Sequence, residues 1–189
     1  MPQDATATTP RRWDTALRIL VWGGSATLLA LPAVAMRFTS EVLWDVPDFA
    51  VFGAMLLVAC TIFEITLRAS ASWAYRVAAA LAVGTAFLLI LVNLAVGFIG
   101  EEGDPANLLF LAVIAIALGG AVFSRGRPRP LSGAMTATAG AQALVAPVAL
   151  AAGWGRYSAA WPWDIIGGTL LFTAFWLLSA ALFRAAPGD

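Results

Sequence analysis

Asn93-Leu94-Ala95-Val96-Gly97-Phe98-Ile99-Gly100, followed by Glu101-Glu102-Gly103-Asp104-Pro105-Ala106-Asn107, is the stretch on which the reading of this chain turns. An apolar run carrying a single amide ends there. Three acids follow within four residues, and a second apolar run begins at once. About three hydrophobic segments lie on each side, so the stretch reads as the polar tip of a central helical hairpin.

The runs on either side set the class. They cover 16–36, 49–67 and 73–99 before the turn, and 107–123, 131–152 and 165–183 after it. Each is near or above the ~17 residues a tilted helix needs to cross a bilayer. Barrel strands would instead alternate apolar and polar residues over ~10 positions. The composition agrees: 61% hydrophobic and 12% charged residues with a mean hydropathy of +0.85, against about 25% charged in a soluble domain. The expectation is an all-α, polytopic transmembrane bundle of six helices arranged as three hairpins. It occupies 13–186 after a disordered polar tail at 1–12, and its first helix is retained rather than cleaved at Ala33-Val34-Ala35 and bends near Pro32.

Arginine placement gives an orientation. With the N-terminus inside, the cytoplasmic side holds Arg11, Arg12, Arg18, Arg68, Arg76, Arg125, Arg127, Arg129 and Arg184, while Arg37 and Arg156 lie outside. Positive residues favour the cytoplasmic side, so both termini are expected there. The prolines of Arg125-Gly126-Arg127-Pro128-Arg129-Pro130 mark it as a non-helical cytoplasmic loop. Trp13 and Trp73 fall at the inner boundary, and Trp44, Trp154, Trp161 and Trp163 at the outer one.

Missing residue types exclude much chemistry. Histidine is absent, which removes His-ligated metals and His-dependent triads. Lysine is absent too, so no Schiff base to retinal or pyridoxal phosphate can form. The single cysteine, Cys60, permits no intrachain disulfide and reads as a buried apolar residue. Gly23-Gly24-Ser25 has the letters of a serine-protease turn but no base. No Asp, Glu or Arg falls in the central third of a helix, which argues against a coupled ion pump. Net charge is zero and no basic run is long, which leaves nothing for nucleic acid. No catalytic residue, cofactor or metal is expected; the expected partners are the lipid bilayer and either another membrane protein or a second copy of this chain.

Candidate site residues cluster on the outer side. Pro47-Asp48, Asp104-Pro105 and Pro162-Trp163-Asp164 each open a helix, where unpaired N–H groups and the helix dipole favour a carboxylate and where proline loses no internal bond. The same acids, with Glu41, Asp45, Glu101 and Glu102, would also form an acidic vestibule. Asn93 is expected ~10 Å below the outer helix end on a stripe of small residues facing the bundle. It is either an interhelical clamp or a ligand contact. Together Asn93, Glu101, Asp104, Asn107, Glu41, Trp44 and Asp48 make up the candidate outer face or pore mouth. On the inner side, Glu64 and Arg68 have the i, i+4 spacing of a helical ion pair. Gln142 beside Thr138 reads as structural, and Thr169 and Thr173 as bonded to their own helix carbonyls.

Two stretches carry a family resemblance. Met36-Arg37-Phe38-Thr39-Ser40-Glu41-Val42-Leu43-Trp44 with Asp48-Phe49 resembles an M-x-F-T-x-E-V-x-W…D-F pattern. Asn93 to Gly100 with Pro105-Ala106-Asn107 resembles N-L-A-V-G-I-I-G…N-P-A-N. Together they resemble a family of small uncharacterised polytopic bacterial inner-membrane proteins. This chain departs from that pattern at Leu43 and Asp104, where asparagine is the family residue. The resemblance implies an inner-membrane address and no particular activity. The leading expectation is thus a non-enzymatic accessory or assembly component; the alternative is a small permease or channel for a neutral or cationic solute.

Overall fold

The computed structural model describes residues 12–100 and 103–187. Among them are six α-helices and one short 3-10 turn: α1 (Arg12–Ala35), α2 (Val46–Ala69), α3 (Trp73–Ala95), the turn Pro105–Asn107, α4 (Leu108–Ser124), α5 (Pro128–Ala152) and α6 (Trp163–Ala185). All six helices are long and apolar enough to cross a membrane by length and composition. This is the architecture of an integral, multi-pass, all-helical membrane protein. The physical reason is general: in hydrocarbon every backbone polar group must be satisfied within the protein, and a helix does so within one segment. The expected tail lies almost wholly outside the described residues, and helix α1 already includes Arg12.

The chain divides into two compact units, Met1–Leu67 and Arg68–Asp189. In the first, α1 and α2 are tied by polar contacts. Arg18 Nε donates to Glu64 Oε2 at 2.9 Å, and Ser25 Oγ lies 3.1 Å from Cys60 Sγ. Cys60 is 1% exposed, as its apolar setting led us to expect. The chain enters α2 through a reciprocal cap. Asp48 Oδ2 accepts from the Asp45 N–H at 2.9 Å, and Asp45 Oδ1 accepts from the Asp48 N–H at 3.0 Å. Two orphan donors at the helix start are satisfied this way.

In the second unit α5 and α6 form the most closely packed pair. Helix α3 rests chiefly on α6 and α4 on α5, while α3 and α4 meet only sparingly. Small residues allow the close approaches. A Cβ on Gly120 would fall 2.5 Å from Ala134 Cβ, so α4 and α5 touch almost backbone to backbone there. Ser179 Oγ on α6 donates to Ala78 O on α3 at 2.9 Å, the kind of interhelical bond that replaces hydrophobic drive inside a membrane.

Two helix ends differ from expectation. Helix α3 stops at Ala95 rather than running to 99, because Gly97 and Gly100 take φ of 73° and 70° and turn the chain back. Between them Phe98 swings into the unit against Phe110 and Phe172, with ring centroids at 5.1 Å and 5.6 Å. The Arg125–Pro130 segment is also shorter as a loop than its prolines suggested. Helix α5 begins at Pro128, so Pro128, Arg129 and Pro130 belong to its first turn. Proline is tolerated there because the first N–H groups of a helix have no internal partner to lose. Helix α4 closes on Arg125 in the left-handed conformation, φ 48°.

Phe98 owes its seat to Gly168, since a Cβ at that position would fall 1.8 Å from Phe98 Cε1. Gly168→Ala should therefore lower stability by about 1–3 kcal/mol through overpacking. Adding Phe98→Leu should recover part of the loss. Unfolding in detergent, followed by circular dichroism, reads both effects; an unchanged midpoint for Gly168→Ala would contradict the packing described.

Candidate functional site

The site is built where α3 fails to close on α4. The loop joining them folds back over the gap, and Asn107 holds it there. Asn107 Oδ1 accepts from the Phe98 N–H at 3.0 Å and from the Ile99 N–H at 2.9 Å, while Nδ2 donates to Ile99 O at 3.3 Å. The side chain is 9% exposed and Ile99 is fully buried. One amide thus satisfies three backbone groups that the early end of α3 leaves without helical partners. A few residues earlier, Asp104 Oδ1 accepts from the Ala106 N–H at 2.8 Å and caps the 3-10 turn. Gly100 comes against Gly155 of the α5–α6 connection, where a Cβ on Gly155 would lie 3.2 Å from Gly100 N.

Beneath this loop is an open cleft of about 360 Å³. Leu89, Ile90, Asn93 and Leu94 line it from α3, and Leu108, Phe110, Leu111 and Ile114 from α4; Gly103, Asp104, Pro105 and Asn107 cover one end. A second recess, of about 420 Å³, shares Asp104 and Pro105 and extends to Trp154. The cleft is apolar with a polar end. It suits an amphipathic or hydrophobic occupant better than an ion.

The structure therefore brings Asn93, Asp104 and Asn107 to one place. It gives Asn93 a different setting from the one expected. Because α3 ends at Ala95, Asn93 stands in the last helical turn rather than ~10 Å below the end. Its Nδ2 donates to Leu89 O, 2.7 Å away on its own helix, and Oδ1 is buried without a hydrogen-bond partner. An interhelical clamp is not what this side chain makes. Glu101 lies outside the described residues, as does Glu102. Glu41, Trp44 and Asp48 belong to the first unit. Glu41 is exposed, with its N–H bonded to Thr39 Oγ1 at 3.1 Å. Trp44 meets Phe49 and Phe52 edge-on, both at 5.3 Å. Asp48 is occupied by the cap described above. The third aspartate, Asp164, accepts from the Ile165 N–H at 2.8 Å and from the Ser158 hydroxyl. At the opposite helix ends, Glu64 pairs with Arg18 across α1 and α2, a partner that i, i+4 spacing could not reveal, and Arg68 is exposed. Among the described residues no group of three or more Cys, Asp or Glu side chains is placed to hold a metal ion.

A second set of polar groups, three of which the sequence reads as structural, is set differently from expectation. Gln142 is fully buried and neither of its amide atoms has a partner. Thr169 and Thr173 do not bond their helix carbonyls as expected; both hydroxyl oxygens are buried and unpartnered, as is the Trp176 Nε1–H. By contrast Thr85 and Thr138 do bond back, to Leu81 O at 2.6 Å and Ala134 O at 2.9 Å. A buried polar group without a partner costs about 1–3 kcal/mol, so Gln142 and the three residues on α6 are costly to the unit. The available signal was depth: Gln142, Thr173 and Trp176 fall near the middle of their apolar runs.

No family model, curated protein or solved structure matches the chain.

The two asparagines should respond oppositely to substitution. Asn107→Leu strands the Phe98 and Ile99 amides and should cost about 2–4 kcal/mol. Asn93→Leu removes one bond along its own helix together with an unpaired oxygen, and should stay within about 0.5 kcal/mol of the parent. Chemical unfolding of the two variants in mild detergent checks the contrast; equal losses would refute it.

Proposed function

We propose that this chain is a non-enzymatic accessory or assembly component of the bacterial inner membrane, with both termini cytoplasmic, and that it belongs to the family its two motifs resemble. One observation carries the reading: the polar side chains that sequence alone nominates for a site are mostly engaged in shaping the backbone. Asn107 pins the α3–α4 loop, Asp104 caps the turn before α4, Asp48 and Asp45 cap α2, and Asp164 holds the start of α6. What they leave open is an apolar cleft, which supports contact with acyl chains or with a helix of another membrane protein rather than turnover of a polar substrate. The expected outcome of purification in mild detergent is a stoichiometric protein partner. Recovery of the chain only as a homo-oligomer would count against this role.

A second reading, a small permease for a neutral or cationic solute, draws on Asn93. Asn93, whose Oδ1 is buried without a partner, and Asp104 line the same cleft. Under that reading Asn93→Leu abolishes uptake at normal expression; under the accessory role it leaves partner binding and stability nearly unchanged.

Orientation has its own test. A phosphatase active only in the periplasm should work when fused after Glu102 and fail when fused after Arg127, and the reverse pattern would overturn the N-in/C-in assignment.

A further inference from the structure

Independently of the role proposed above, the α3–α6 unit contains a set of polar atoms that its own helices do not use. Gln142 sits on the buried face of α5 between Ala139 and Val145, both of them core residues, and is fully enclosed. Helix α6 contributes Thr169, Thr173 and Trp176 at i, i+4 and i+7, hence on one face. Thr169 is 3% and Trp176 1% exposed. Helices α5 and α6 pack closely and are joined by residues 153–162, with Ala149 and Ile165, both fully buried, in the helical turns that flank this connection. Counting about two turns inward from each of these residues brings Gln142 level with Phe172, between Thr169 and Trp176. The unpaired amide, the two hydroxyls and the indole N–H thus fall within about one turn of the same depth on two packed helices.

Their neighbours show that the unit is not simply short of acceptors. Thr85, Thr138 and Ser179 satisfy themselves on the carbonyls of Leu81, Ala134 and Ala78. The unpaired set combines donors and acceptors: Gln142 supplies both, each threonine hydroxyl can act as either, and Trp176 donates. None of the four carries a charge, so neither a cation nor an anion would find a counter-ion among them. An uncharged molecule that both gives and takes hydrogen bonds would satisfy those of the four within its reach, and a water needs only two to four such partners.

We propose that Gln142, Thr169, Thr173 and Trp176 form an internal binding site for a small uncharged hydrogen-bonding molecule, water or a solute of similar size. The full-length protein in lipid nanodiscs tests it by nuclear magnetic resonance. The Trp176 indole proton, assigned by its disappearance in Trp176→Phe, should show a through-space cross-peak to water that survives long mixing times. Gln142→Leu should lose most of that cross-peak. Thr173→Val, a half-buried and milder change, should weaken it, and gives the same comparison if Gln142→Leu does not fold. Titrated urea separates the two sources. A saturable shift of the Trp176 proton with loss of the water cross-peak identifies a solute site; an unmoved proton with the cross-peak retained identifies bound water. Either supports the site. Absence of any water or urea signal at Trp176 in the folded parent protein, with Gln142 bonded directly to Thr173 or to a helix carbonyl in a map from the same preparation, would overturn it.

Discussion

The α3–α6 unit depends on how one amide is placed. Helix α3 ends early, and its chain then reverses through two glycines with positive φ, leaving the N–H and carbonyl of buried Ile99 and the N–H of half-buried Phe98 without helical partners. A turn of this kind is tolerated near hydrocarbon only if protein supplies the missing partners. Asn107 supplies all three from the far side of the loop. The consequences spread outward. Phe98 is held against Phe110 and Phe172 above Gly168, Gly100 meets Gly155, and α4 starts from a fixed point although its flank barely touches α3. The open cleft follows directly, because the loop rather than helix packing joins the two helices.

This constraint also explains how the polar residues are distributed. Hydrophobic drive does not hold helices together in lipid, so the chain relies on small residues, occasional interhelical bonds and well-capped connections. Three of its aspartates sit at helix starts and are bonded to nearby backbone. The Arg18–Glu64 pair, part exposed on both sides, adds little stability on its own and serves better to fix which faces of α1 and α2 meet. Against this economy the unused polar atoms of Gln142, Thr169, Thr173 and Trp176 stand out, since the hydroxyls of Thr85, Thr138 and Ser179 have each found a carbonyl.

Six spans could be read from the sequence because run length and apolar content are local properties, and the structure reproduces them to within a few residues at most ends. The exceptions have specific causes. Glycine at 97 and 100 permits a reversal that hydropathy cannot register, so α3 is shorter than its apolar run. Proline at 128 and 130 looks like a breaker but is harmless in a first turn. The candidate site was half legible: Asn93, Asp104 and Asn107 do share a cleft, yet sequence ranked Asn93 above Asn107, because an amide inside an apolar run is conspicuous and one at its edge is not. Asn107 becomes important only through contacts with residues across the loop, and Gln142 only through the depth at which α5 and α6 meet. Both are tertiary facts.

If the Asn107 clamp is what seats Phe98, the two residues must be thermodynamically coupled. A double-mutant cycle on Asn107→Ala and Phe98→Ala, measured by unfolding in mild detergent, tests this most directly. The account predicts that the second substitution costs much less once the first is made, with a coupling of about 1 kcal/mol or more. Losses that add to within about 0.3–0.5 kcal/mol would contradict it.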